Sequence, residues 1–419
     1  MNFLRKRKDS SDDNGFSNEI DDDYVNEIND STIHKSRKPP NTAFRQQRLK
    51  AWQPILTPKS VIPLLILLTV IFTPLGIAII FTTYNVEELN IDYSNCEKLA
   101  NYDTYGSIPD KYTGYHFKHI ATSPDFKWKL LNETSVYNKD DEVTTCLIQF
   151  NLPKDLKPPL YLYYKLTNFF QNHRKYVESY DLDQLGGKAL SSDDVTDNCK
   201  PLKHREYKGE TRLIYPCGLI ANSYFNDSIN SPILLNTRST ENNETYEFVD
   251  KDISWPSDRN HKFKKTSYKP DDVVPPPNWD RMYPDGYTNE NLPNVQSWEH
   301  LQNWMRTAAL PNFYKLYGQN KSSVMSSGTY QMSVQLHYPV EIFGGSKNII
   351  ITTNSIFGGR NIALGIIYII VAVISLVLGI AFLIQYLIKP RKIGDHNFLQ
   401  NSHINRDIGV NNDSYRDQL

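Results

Sequence analysis

Few residues of this chain have the types and spacing that catalysis requires. His116 and His119, in HFKHI, stand three apart, but no nearby carboxylate or third histidine completes a metal set. Asp181 and Asp183 in YDLDQL, and Asp193 and Asp194 in SSDDV, are paired acids in polar surroundings. Glycoside hydrolysis needs two carboxyls facing each other across a cleft, and acids this close together read instead as solvated loop charges. HExxH, GxSxG and GxxxxGK[ST] are absent, as is the Asp-Lys-Thr-Gly phosphorylation motif. A net charge of -1 gives no basic footprint for nucleic acid. No catalytic, cofactor or metal site is expected.

The chemistry that the spacing does support is oxidative. The four cysteines, Cys96, Cys146, Cys199 and Cys217, contain no CxxC pair, which argues against zinc. An even number confined to one segment reads as two disulfides in an oxidising compartment. Of the three connectivities, Cys96–Cys146 with Cys199–Cys217 closes the shortest loops and is the expected one. The same segment carries the glycosylation sequons of Asn132, Asn226, Asn243 and Asn320. Two further sequons, at Asn29 and Asn412, lie in the tails and are expected to stay bare.

What must position this segment is a pair of apolar stretches. VIPLLILLTVIFTPLGIAIIF, residues 61–81, and IALGIIYIIVAVISLVLGIAFLIQYLI, residues 362–388, carry no charge. A helix of about 21 residues spans about 31 Å, which matches a hydrocarbon core of about 30 Å. Pro63 and Pro74 do not veto a span, because neighbouring groups in a membrane helix can satisfy the freed backbone. The chain therefore reads as a two-pass membrane protein, although its mean hydropathy of -0.52 is that of a polar chain. Arg45, Arg48, Lys50 and Lys59 precede the first stretch, and Lys389, Arg391 and Lys392 follow the second. Positive charge on the outer flanks predicts cytosolic termini, with Trp52 at headgroup level and the basic side chains on anionic lipid. The predicted organisation is a disordered tail (1–37), a basic juxtamembrane segment (38–60), the first span (61–81), a lumenal domain (82–361), the second span (362–388) and a cytosolic tail (389–419).

Within the spans, Gly365, Ala372 and Gly379 recur every seven residues, and Thr69 and Gly76 share that period in the first. Small residues let membrane helices approach closely. These faces are expected to pack against each other or a larger membrane partner, with Ile369 on the opposite face. The segment between the spans reads as mainly β. CLIQFNL, LYLYYKL, GTYQMSVQLHYPV and KNIIITTNS are aromatic or β-branched, several alternate, and turn chemistry such as PPPNW and YPDGY punctuates them. One helix is expected at SWEHLQNWMRTA, capped by Ser297 or Asn294, with Trp298, Leu301, Trp304 and Met305 on its buried face.

Six stretches together carry a resemblance: KPPNTAFRQQRLKAWQPIL, NHRKYV, YPCGLIANSYFNDS, PPPNWDRMYPDGY, WEHLQNWMRTAALPNFYKL and GGRNIALGIIYII. The chain, from about Lys38 to about Asp395, resembles the cell-division-control-fifty / ligand-effect-modulator family, in its fungal branch. Tyr224 stands where methionine is usual, and Ser228 replaces threonine in the Asn226 sequon. The resemblance implies a non-catalytic β-subunit, forming a heterodimer with the catalytic α-subunit of a type IV P-type ATPase, a phospholipid flippase. It implies two spans and a jelly-roll-like, antiparallel β-sandwich ectodomain that caps the partner's lumenal side. It further implies a role in exit from the endoplasmic reticulum and in the transport cycle. Membrane lipids, with phosphatidylserine and phosphatidylethanolamine as cargo, and the Golgi, endosome or plasma membrane as destination, are the branch-level expectation. A receptor or adhesion glycoprotein acting alone, or an anchored lumenal enzyme, is the alternative on the residues themselves.

Overall fold

Alternation is what builds the domain between the spans. In LYLYYKL, Leu160, Leu162, Tyr164 and Leu166 point inward and are buried, while Tyr161, Tyr163 and Lys165 point outward. Such a period of two makes a strand with one core face. A computed structural model describes residues 41–49, 56–118, 122–235, 244–354 and 359–390. It divides into two units, Met1–Leu56 and Thr57–Leu419. In the first, 41–49 form a turn closed by hydrogen bonds from the Gln46 and Arg48 amides to the carbonyls of Thr42 and Ala43. Lys50, Trp52 and the tail sequons lie outside the described residues.

In the second unit two sheets share one core. The five-stranded sheet runs in the order Phe313–Asn320, Leu160–Leu166, Lys347–Thr353, Glu88–Asp92, Thr113–His116, all antiparallel. Opposite it, the main strands are Ile233–Leu235, Gly328–Gln335, Glu142–Leu152 and Phe126–Thr134, again antiparallel. Leu89, Ile91, Leu162, Ile349 and Ile351 of the first sheet belong to the same buried cluster as Trp128, Leu130, Ile148, Phe150, Met332 and Val334 of the second. Burying each such side chain fully contributes about 1.5–3 kcal/mol. A small third sheet, Val273–Val274, Glu210–Ile214 and His204–Tyr207, contains one parallel pairing and was not foreseen.

The predicted helix forms over Glu299–Met305 and buries Leu301, Gln302, Trp304 and Met305. Neither Ser297 nor Asn294 caps it. Trp298 occupies the N-cap position, and its ring is packed against Trp279 and Tyr224, at centroid distances of 5.3 and 4.9 Å.

Two helices, Pro58–Tyr84 and Ile362–Ile388, each of 27 residues, flank this domain and are long and apolar enough to cross a membrane. The first continues through Pro63 and Pro74. The expectation of two spans around a mainly antiparallel β domain therefore holds.

Candidate partner and membrane interface

The two helices pack on one another through their small residues. A Cβ added to Gly365 would lie 2.5 Å from Ile80 Cγ1 and 3.1 Å from the Gly76 carbonyl oxygen. One added to Gly76 would lie 2.8 Å from Ile369 Cδ1. These glycines are the price of the close approach. Gly379 is looser, with its nearest contact, Leu65 Cβ, at 3.5 Å. Ala372 is buried, and its carbonyl lies 3.3 Å from Thr69 Oγ1, which also donates to Leu65. Phe72 meets Tyr368 edge-on at 5.4 Å. Ile369 is thus part of the seam and not on the opposite face. A helix turns every 3.6 residues, so the position four after Gly365 returns to the same side.

The cysteines are joined as Cys96–Cys146 and Cys199–Cys217, with Cα atoms 6.2 and 5.6 Å apart. Beside the second bridge, Gly218 has φ +99°. A Cβ there would lie 2.1 Å from the Ser179 carbonyl oxygen, so only glycine fits. This gives the Cys-Gly pair of YPCGLI a steric reason.

Of the sequons, Asn132 is exposed and Asn226 half-buried. Asn320 is only 9% exposed; its amide donates to the Glu247 carbonyl and its oxygen accepts from the amides of Ser322 and Ser323. Asn243 lies outside the described residues.

Several of the candidate histidines and acids have structural partners. His116 Nε2 lies 3.1 Å from the Tyr84 carbonyl at the end of the first span; His119 lies outside the described residues. Asp181 is not a solvated loop charge. It is 6% exposed, and its carboxylate accepts from the amides of Gln184 and Thr196, which hold it inside. Asp183 pairs with Lys188, and Asp194 accepts from Ser191. Among the described residues, no group of three or more His, Cys, Asp or Glu could hold a metal.

Sequence reasoning missed a buried charge pair. Asp227 and Lys347 are 2% and 5% exposed, with Oδ2 and Nζ 2.7 Å apart. Asp227 also accepts from Tyr93 Oη at 2.9 Å and from the amides of His337 and Tyr338 at 2.6 Å. Lys347 donates to the Tyr338 carbonyl at 2.8 Å. The pair ties the loop of the Asn226 sequon to the strand that leads into the second span. The available signal was Lys347 opening an otherwise apolar strand, KNIIITT.

Two packed spans and a disulfide-bound β domain between them define a two-span membrane protein whose polar interior is engaged in holding structure. The family model described as "LEM3 (ligand-effect modulator 3) family / CDC50 family" matches residues 79–392, and the chain belongs to this family. It is 48% identical over 368 residues to the protein named phospholipid-transporting ATPase accessory subunit CRF1 of Saccharomyces cerevisiae, covering 87% of this chain and 89% of that protein. With the Chaetomium thermophilum accessory subunit CDC50, identity is 41% over 378 residues, covering 88% and 92%. With cell cycle control protein 50A of Mus musculus, it is 35% over 365 residues, covering 84% and 89%.

Proposed function

We propose that this chain is a non-catalytic accessory subunit of a phospholipid-transporting P-type ATPase of type IV. In this role it forms a heterodimer with the catalytic subunit, assists its exit from the endoplasmic reticulum, and supports flipping of aminophospholipid toward the cytosolic leaflet. The observation that carries the reading is near-full-length similarity to proteins named as such subunits. The architecture agrees with it. With Gly76 and Gly365 turned toward each other, the remaining helix surface carries exposed leucine, isoleucine and valine, including Leu64, Ile66, Ile366, Ile370 and Val377. Such a surface suits lipid on one side and the membrane domain of a larger protein on another. Basic outer flanks favour cytosolic termini and a lumenal β domain, and the Golgi and endosomes are the proposed destinations.

The test is mass spectrometry of the tagged chain drawn from membranes in mild detergent. A multi-span ATPase is expected at equal stoichiometry, while the chain alone should neither hydrolyse ATP nor move lipid after reconstitution. Recovery of the chain only as a monomer or homodimer would favour a solitary receptor and overturn the reading.

A further inference from the structure

A cleft of about 490 Å³ lies between the outer face of the five-stranded sheet and the segment leading into the second span. Glu88, Tyr163, Tyr314, Ile350, Thr352 and Arg360 line it. Strand register explains the gathering. Glu88 pairs with Thr352, Ile350 with Tyr163, and Tyr314 with Lys165, so these residues share the outward face of adjacent strands.

We propose that this cleft holds the zwitterionic headgroup, a phosphate joined to an amine, of a phospholipid in the leaflet that the β domain faces. The inference rests on the membrane-subunit reading above and names a lipid class that the chain itself would recognise.

The second span has 27 residues, or about 40 Å of helix against a hydrocarbon core of about 30 Å. Centred, it leaves about 5 Å beyond the core at each end. Arg360 stands just before its first residue, Ile362, and so lies at phosphate level. Glu88 opens the strand that follows the first span, and His116, its partner across the sheet, touches the carbonyl of Tyr84 at that span's end. Both charged groups therefore sit at the headgroup layer.

A guanidinium is a forked donor suited to phosphate. A carboxylate beside tyrosine rings is a receptor for ammonium, through charge and cation–π attraction. Among the described residues, no hydrogen bond or ion pair occupies the side chains of Glu88 or Arg360. Burial raises the Glu88 carboxyl above its ordinary value, against the opposing pull of Arg360, Lys165 and His116. An ammonium seated next to it would favour its charged form. One pocket thus offers an anion site and a cation site, where a lipid presents one charge of each sign.

The experiment uses the purified full-length chain in a sugar-based detergent. It is titrated with dihexanoyl phosphatidylethanolamine below its micelle concentration and read by native mass spectrometry. Three probes separate the sources: that lipid, dihexanoyl phosphatidic acid, which lacks the amine, and free phosphorylethanolamine, which lacks the chains. One saturable site is expected, with the other two probes weaker by about tenfold or more. Glu88→Gln should erase the preference for the amine-bearing lipid over phosphatidic acid. Arg360→Gln should weaken both lipids about tenfold. Both variants should keep the wild-type melting temperature. Absence of a saturable site, free headgroup binding as tightly as lipid, or variants that bind like wild type would overturn the proposal. So would variants that retain lipid but lose the ATPase, since the cleft would then be a protein contact. Because the isolated chain is assayed, lost lipid binding with intact ATPase co-purification leaves the subunit reading standing.

Discussion

Removing one partner of the Asp227–Lys347 pair should cost far more than removing both. With Lys347→Met, Asp227 keeps the hydroxyl of Tyr93 and the amides of His337 and Tyr338, yet it becomes an uncompensated charge at 2% exposure. The Tyr338 carbonyl also loses its donor. Breaking a buried pair in this way costs about 3–5 kcal/mol, against a total stability of about 5–15 kcal/mol for a typical domain. Asp227→Asn retains an acceptor for the two amides but sets its amide group against a buried ammonium, and it should fall in the same range. The double variant removes both charges, so the two losses should couple by about 0.5–3 kcal/mol and sum to less than their parts. The assay is urea unfolding of the full-length chain in detergent, followed by tryptophan fluorescence. Trp128, Trp255, Trp279, Trp298 and Trp304 lie between the spans and report on this domain. If Lys347→Met costs under about 1 kcal/mol, as an exposed pair would, or if the single losses simply add, the pair is not what locks the sequon loop to the sheet.

Other outcomes follow from the same geometry. Gly365→Leu should reduce assembly with the ATPase and hold the chain in the endoplasmic reticulum, whereas Leu364→Ile on the exposed side should do neither; normal trafficking of both would show that the seam is dispensable. Glycopeptide mapping should find Asn132 modified and Asn320 bare, because the amide of Asn320 is already engaged inside; a modified Asn29 would reverse the orientation. Opening the Cys199–Cys217 loop, with its sequence separation of 18, by a double serine substitution should cost about 3 kcal/mol, read by the same unfolding assay. Burial, and secondarily Arg306, pushes the Lys315 amine down to about 7. The unfolded chain then holds the extra proton between about 7 and the ordinary 10.5, so stability should rise with pH across that window and level off below it. Lys315→Met should flatten that slope in a pH series of melting temperatures.

Strand parity was legible because it is local. LYLYYKL is a strand over its whole length, and KNIIITT forms the strand that enters the second span. The second span was bounded by composition alone, with helix limits at Ile362 and Ile388, while the first runs three residues further than its apolar core at each end. The seam between the spans was half legible. A seven-residue count names Gly365 and Ala372, but it does not bring in Ile369, whose side comes from the 3.6-residue turn. Charges misled most. Asp181 reads as a solvated loop charge, but the Gln184 and Thr196 amides hold it inside, while the burial of Asp227 depends on Lys347, far along the chain. The outward-facing cleft likewise needs strand register, which brings Glu88 beside Thr352.

The strand that begins just after the first span, Glu88–Asp92, pairs nearby with Thr113–His116 along one edge, but its other edge finds a partner only at the far end of the domain. The Glu87 amide donates to Thr353 Oγ1, 266 residues later, and the whole of Glu88–Asp92 pairs with Lys347–Thr353. During synthesis the opening strand must therefore wait, with an unpaired edge, until nearly all of the domain has emerged. Contacts of such separation form late, because loop closure precedes their reward. Closure of the five-stranded sheet thus coincides with arrival of the residues just ahead of the second span. A chain truncated anywhere in between leaves that edge of Glu88–Asp92 unpaired, an exposed row of N–H and C=O groups open to pairing with another chain.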